Sequence, residues 1–251
     1  MIKMIMHGCN GRMGQMITNL VKEDPGITIV AGIDVNDSVQ NDYPVFAGIE
    51  ECDVEADVVV DFGAAPAVDK LLDTCVKRNL PVVVCTTGLS KEQVEHLEEA
   101  SGKVAILRSA NMSLGINLLL KLVQDAVRTL QPAGFDVEIV EKHHRMKLDA
   151  PSGTALALAD SVNEAAGGTY EYVYDRSSVR QKRGAKELGI SAVRGGTIVG
   201  DHDVIFAGED EVVTFSHTAY SRAVFAKGSI AAAKFLAGKG PGLYDMSDVI
   251  G

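Results

Sequence analysis

The sequence predicts an α/β protein: a doubly wound parallel sheet with helices on both faces, joined to a smaller α+β domain. Three observations carry that expectation. Short apolar runs at 2–6, 27–33, 58–62, 81–85 and 104–107 recur through the first half, with helical patterns between most of them. They are apolar at nearly every position, as strands covered on both faces must be. In the second half, strand patterns at 136–141, 189–194, 197–207 and 211–218 follow one another with glycine turns between the last three.

The first strand, 2–6, leads into Gly8-Cys9-Asn10-Gly11-Arg12-Met13-Gly14. A helical pattern follows, with Met13, Met16, Ile17, Leu20 and Val21 on one face. Strand, glycine turn and helix form the context of a Rossmann-like dinucleotide site, although the spacing is GxxGxxG rather than GxGxxG. The glycines permit a tight turn and close approach of backbone to a pyrophosphate, which rests on the helix N-terminus. The next strand, 27–33, ends at Asp34, about 20 residues beyond the turn, where a ribose-binding carboxylate belongs. Asp34 repels a 2′-phosphate, and Val35-Asn36-Asp37 offers no arginine to bind one, so the sequence favours NADH over NADPH. Arg12 weighs the other way, because its guanidinium can reach a 2′-phosphate. A plain turn-initiating Asp at a strand end is the competing reading of Asp34.

After a short irregular strand near 44–46 come strand 58–62, helix 66–79 and strand 81–85 with its Cys85-Thr86-Thr87-Gly88 end. Ser90 and Gln93 have the spacing of a capping box for the next helix. Strand 104–107 closes the series and ends in Ser109-Ala110-Asn111-Met112-Ser113. Thr86, Thr87 and Asn111 read equally as nicotinamide contacts or as caps and turns.

Helix 114–131 marks the crossover to the second domain, and strand 136–141 follows. Helix 151–167 has Gly167-Gly168 as its C-cap, and the polar stretch 169–187 reads as a long loop. The remaining strands carry hairpin signals at Gly195-Gly196 and at 208–210. Together with 136–141 they predict a small, mainly antiparallel sheet with one helix. Its second face needs cover, which points to subunit packing. An Ala-rich helix over 219–236 returns to the first domain. The expected domains are therefore 1–113 with 219–251, and 114–218.

Composition narrows the function. A formal charge of −10 argues against non-specific nucleic-acid binding. No apolar run approaches membrane length, and the opening Met-Ile-Lys-Met-Ile-Met is too short for a secretory signal. The four cysteines, Cys9, Cys52, Cys75 and Cys85, show no metal-ligand spacing and read as reduced thiols of a cytoplasmic protein.

The densest chemistry lies at Glu138-Ile-Val-Glu141-Lys-His143-His144-Arg-Met-Lys147-Leu-Asp149-Ala-Pro151-Ser152-Gly153-Thr154-Ala155. Two histidines, an arginine and a lysine fall within five residues at the end of a strand. A helix start follows, with Pro151 in its first turn and the backbone N–H groups of Ser152, Gly153 and Thr154 open to an anion. Singly, these residues read as well as a solvated loop before a capped helix. Together they describe a pocket for an acidic small molecule with a titratable His in reach.

This segment resembles the signature of the dihydrodipicolinate reductase family. Similar stretches are Gly8–Gly14, 86–88, 110–113, 194–202 and the near-terminal 242–246, so the resemblance covers nearly the whole chain. It implies a dinucleotide domain plus a substrate domain whose sheets assemble a homotetramer. It implies His143 as general acid/base and Lys147 as proton donor. His144 and the Ser152-Gly153-Thr154 turn, with the charge of Lys147, would hold the carboxylates of a cyclic dicarboxylate. The cofactor contacts implied are Gly8, Cys9, Asn10, Gly11, Arg12, Met13, Asp34, Cys85, Thr86, Thr87, Ser109, Ala110, Asn111 and Met112. No metal is implied. The chain departs from the family pattern at Cys85, where Gly is usual, at Gly63-Ala64-Ala65, and in lacking an Arg after Asp34. Two alternatives remain: another two-domain dehydrogenase, because a fold does not set its chemistry, and a nucleotide-sensing regulator.

Overall fold

The structure is a computed structural model that describes every residue except Ala110 and Asp175. It divides into two units, Met1–Ser113 with Ala223–Gly251, and Leu114–Arg222.

The first unit contains β1 (Ile2–His7), α1 (Arg12–Lys22), β2 (Ile27–Ile33), β3 (Val45–Phe46), β4 (Val58–Asp61), α2 (Val68–Arg78), β5 (Val82–Val84), α3 (Lys91–Ser101) and β6 (Ala105–Arg108). The second unit holds α4 (Leu114–Leu130), β7 (Asp136–His143), α5 (Gly153–Ala165), β8 (Glu171–Val173), β9 (Glu187–Arg194), β10 (Gly200–Ala207) and β11 (Val212–Ala219). The chain then returns to the first unit with α6 (Ala223–Leu236), β12 (Gly242–Tyr244) and α7 (Met246–Ile250).

In the first unit the strands run in the order β12-β6-β5-β4-β1-β2-β3, and every neighbouring pair is parallel. The order reverses at β1, between β2 and β4, which places a topological switch point beyond the carboxyl end of β1. Side chains alternate across the sheet. Met4, Met6, Val58 and Val60 pack with Ile17 and Val21 of α1 and Ala226 and Ile230 of α6. Ile5 and Val59 pack on the other face with Leu71 and Leu72 of α2 and Leu97 of α3. The expected capping box is present: Gln93 N donates to Ser90 Oγ at 3.2 Å, and Ser90 N donates to Gln93 Oε1 at 3.1 Å.

The second unit's sheet has the order β11-β10-β7-β9-β8. β10 is antiparallel to both β11 and β7, whereas β7, β9 and β8 are parallel. The sheet is therefore mixed rather than mainly antiparallel. Gly195-Gly196 does not close a hairpin, because β7 lies between β9 and β10. A glycine pair specifies a local reversal, but the long-range partner is chosen by burial. β7 takes the central position because Val137, Ile139, Glu141 and His143 all point inward. Two helices, not one, cover the inner face: Ile116, Leu119 and Val123 of α4 and Leu158 and Val162 of α5 meet Val204 and Phe206.

Further boundaries differ from expectation, among them β9, which starts at Glu187, and β10, which starts at Gly200. β7 continues through Lys142 to His143. β8 lies within the expected loop; three residues are too short for a period-2 signal, and their partner strand lies well downstream. β11 extends to Ala219, so the returning helix begins at Ala223. Finally, the tail adds β12 as an edge strand on β6.

Candidate active site

The expected site residues fall into two groups, one in each unit. In the first, Gly8 has φ +78°, and a Cβ there would lie 2.5 Å from the Phe62 carbonyl oxygen. At Gly14 a Cβ would lie 2.2 Å from the Gly8 carbonyl oxygen. Both glycines are thus required by backbone packing. Gly11 is exposed on the turn, directly before α1, where the open first-turn N–H groups favour a phosphate. The Asp34 carboxylate accepts from Asn10 N and from Asn36 N, both at 2.9 Å, so it is fixed beside the turn. A cavity of about 610 Å³ opens at the switch point, lined by Gly8, Gly11, Asp34, Phe62, Gly63 and Lys70 among others. A backbone turn with no Cβ in the way, a first helical turn and a positioned carboxylate together fit a dinucleotide.

The other candidates in this unit take different stations. Arg12 is exposed at the start of α1, and Met13 is half-buried behind it. Cys9 is fully buried, and burial, followed by the charge of Asp34, pushes its thiol up to about 11. Only the backbone of Cys9 is therefore available to a ligand. Cys85 donates its N–H to Asp61 O at 2.9 Å, and burial raises its thiol well above the ordinary value. Thr86 is buried, and its Oγ1 has no hydrogen-bond partner among the described residues, whereas Thr87 is exposed. Ser109 is half-buried; Asn111 Oδ1 accepts from Ser113 N at 2.8 Å. Met112 is buried, and its carbonyl oxygen would lie 1.6 Å from a Cβ at Gly228, so α6 needs glycine there. Ala110 lies outside the described residues.

In the second unit, the 3.4 Å-rise zigzag of a strand puts Glu141 and His143 on one face of β7. Glu141 is completely buried. Its Oε2 accepts from His143 Nδ1 at 2.6 Å and from Arg194 Nη1 at 2.7 Å. Its Oε1 accepts from Arg194 Nη2 at 2.7 Å and from Ser152 N at 2.9 Å. Burying a carboxylate costs several kcal/mol, but four charge-assisted bonds of roughly 1.5–3 kcal/mol each are of the size needed to offset it. Burial pushes the Glu141 carboxyl up; Arg194, His143 and the Ser152 N–H outweigh it, and the group ends below its ordinary value.

Ser152 is the N-cap of α5, one residue beyond Pro151, which therefore precedes the helix instead of starting it. Ser152 Oγ accepts from Ala155 N at 3.1 Å and pairs with His202 Nε2 at 3.0 Å. Ser152 is therefore buried support, and Gly153 and Thr154 form the first turn that can face an anion. His202 packs edge-on against His143, with ring centroids 5.2 Å apart. Burial, and then the charge of His143, pushes its imidazole down to about 4; Lys147 acts in the same direction. Lys147 Nζ lies 2.9 Å from Asp149 Oδ1, and His144 is half-buried. Among the described residues, no group of three or more His, Cys, Asp or Glu could hold a metal ion.

Sequence reasoning gave no site role to Glu141, Arg194, His202, His7 or Asp61. His7 Nδ1 lies 2.6 Å from Asp61 Oδ1, which also accepts from Gly63 N at 2.8 Å. A Cβ at Gly63 would lie 2.7 Å from His7 Cε1, which explains a glycine after Asp61-Phe62. The two-residue spacing of Glu141 and His143 was the available signal, because it places both on one strand face. Arg194 and His202 belong to other strands, and only the sheet order brings them to β7.

Comparison with known proteins shows the family. The family domain described as dihydrodipicolinate reductase, N-terminus, matches residues 2–112, and that described as dihydrodipicolinate reductase, C-terminus, matches residues 115–250. A 4-hydroxy-tetrahydrodipicolinate reductase from Caldanaerobacter subterraneus subsp. tengcongensis is 54% identical over 250 residues, covering 100% of this chain and 98% of its own. One from Clostridium novyi is 48% identical with the same coverage. The solved structure of a dipicolinate-bound dihydrodipicolinate reductase from Paenisporosarcina sp. TG-14 superposes with TM-score 0.83 at 25% identity, covering 100% of this chain and 99% of that one. A probable dehydrogenase from Thermotoga maritima, at 14% identity and TM-score 0.65, shares the fold alone. With both halves matched end to end and close relatives aligned along their whole length, this chain belongs to the dihydrodipicolinate reductase family.

Proposed function

We propose that this oxidoreductase reduces 4-hydroxy-tetrahydrodipicolinate to tetrahydrodipicolinate with NAD(P)H, in the diaminopimelate route to lysine. The observation that carries the reading is the buried Glu141–His143 pair placed directly before the N-terminus of α5, with His144 and Lys147 in the intervening loop. A ring bearing two carboxylates needs cations, helix N–H groups and one proton donor together. Gly153, Thr154, His144 and Lys147 answer to the carboxylates, and His143 and Lys147 to the proton.

Reduced nicotinamide supplies the hydride when bound. Loss of water from the hydroxyl form leaves a conjugated ring; hydride addition at C4 moves an electron pair onto the adjacent ring carbon. That carbon takes a proton from His143 Nε2 or Lys147 Nζ, whose N–H bond breaks as the C–H bond forms. His143 Nδ1 is occupied by Glu141, and Gly200 keeps the surroundings of Nε2 open, since a Cβ there would lie 3.0 Å from it.

The cofactor is NADH in preference to NADPH. Asp34, Glu50 and Glu51 all line the cavity, and Lys70 lies 3.4 Å from Glu50, so a 2′-phosphate would meet mainly negative charge. Residues 8–13, Asp34, 85–87 and 109–112 contact it. The protein is a homotetramer, supported by a sheet face in the second unit that α4 and α5 leave uncovered and that carries Val140, Ile205 and Thr214. It works in the cytoplasm, a reducing compartment in keeping with four free cysteines.

The test is NADH oxidation followed optically with freshly made hydroxytetrahydrodipicolinate. Oxidation that requires both protein and substrate supports the reading; none with this substrate overturns it.

A further inference from the structure

We infer that Glu141 and Arg194 form the positioning pair of the reaction. The carboxylate holds His143 in one tautomer, with Nδ1–H donated to Glu141 and Nε2 left to move the proton. This rests on the reading of His143 as the acid. It goes further in naming which nitrogen acts, what fixes it, and why the fixing group is an ion pair.

Each oxygen of the buried carboxylate accepts two bonds, so all of its acceptor positions are used. Arg194 binds it through both terminal nitrogens, and Arg194 Nη2 also donates to Asp149 O at 2.7 Å. The charge of Glu141 is thus already balanced by a guanidinium before His143 is counted. The carboxylate therefore orients the imidazole as an anion shared among four donors. After His143 gives up its Nε2 proton, the neutral ring keeps Nδ1–H against a carboxylate, which is the arrangement a proton donor of this kind needs.

The same carboxylate accepts the Ser152 N–H, which sets the cap of α5. One buried anion therefore registers the proton donor against the helix turn assigned to the substrate's carboxylates. His202 completes the support from the next strand, bonded to Ser152 Oγ and stacked edge-on against His143.

The decisive variant is Glu141→Gln. Its amide oxygen can keep the Ser152 N–H, but its NH2 turned toward Nδ1 makes that nitrogen an acceptor and reverses the tautomer. Histidine nitrogen NMR on the ¹⁵N-labelled protein reads this directly, with the signals of His143 assigned by their loss in His143→Gln. In the unaltered protein, neutral His143 carries its proton on Nδ1. In Glu141→Gln the proton moves to Nε2, kcat falls at least about tenfold, and NADH dissociation from the free protein changes less than about twofold.

An Nε2–H tautomer in the unaltered protein overturns the inference, and this measurement stands even if the variant does not fold. A folded Glu141→Gln protein with unchanged kcat, or with reduced kcat and an unchanged tautomer, overturns it too. Full turnover in His143→Gln would instead overturn the acid assignment in the proposed function, and the tautomer measurement tells the two failures apart.

Discussion

His202 is 4% exposed on β10, and its imidazole is pushed down to about 4 by burial and by the charge of His143. In the unfolded chain it titrates near its ordinary 6.5. Between those values the unfolded state binds the proton and the folded state does not, so stability rises with pH across that window. It is complete above about 6.5 and lost as the pH falls toward 4, by up to roughly 3 kcal/mol. The thermal midpoint should drop over that interval, and a His202→Asn protein should show a flatter profile; identical profiles would refute the assignment. At His143, replacement by Gln should lower kcat by about 10²–10⁴-fold and leave NADH affinity unchanged. Equal losses in both, by steady-state kinetics and cofactor titration, would remove its role as acid. At Asp34, replacement by Ala removes the carboxylate beside the glycine turn. The ratio of kcat/KM for NADPH to that for NADH should rise by about tenfold, the scale of one removed charge repulsion. No rise would mean that other groups set the preference.

The α3 helix shows how a local rule becomes structure. Ser90 and Gln93 satisfy one another's backbone N–H groups, so the helix starts where the sequence places it. Ser90→Ala should cost about 1 kcal/mol of stability with activity unchanged, read from the thermal midpoint and from faster amide exchange at the start of α3. β8 and the stretch after it show the opposite. Residues 169–187 read as a polar loop, but Arg183 is drawn down onto β7. Its Nε donates to Glu138 Oε1 at 2.8 Å, and its Nη1 to Asp136 Oδ1 at 2.6 Å. Nothing in the local composition separates that arginine from Arg176 or Arg180, because its carboxylate partners lie more than 40 residues upstream.

For the whole molecule, the second unit's sheet presents Val140, Ile205 and Thr214 away from its two helices. Val140 and Ile205 on that open face, beside the Lys142–Asp203 ion pair, favour a second copy of the same face. Light scattering should give a mass of four chains for the unaltered protein. Ile205→Glu, which places a charge beside Glu138 and Thr214 in register, should give smaller species that still bind NADH. A monomer mass for the unaltered protein would refute the tetramer.

What the sequence determined by itself is whatever depends on neighbours along the chain. Runs of apolar residues set the parallel strands, the Ser90–Gln93 spacing set a cap, and the glycines of 8–14 set the turn, because each needs only a few consecutive residues. Strand 136–141 was legible for the same reason, although it runs on to His143. The tertiary structure alone decided that β7 sits between β9 and β10, and so that Arg194 and His202 meet Glu141 and His143. It also decided that Ser152 is a buried cap and that His7 pairs with Asp61. Those outcomes depend on which strand lies beside which, a choice made by burying whole faces, and no short window of residues contains it.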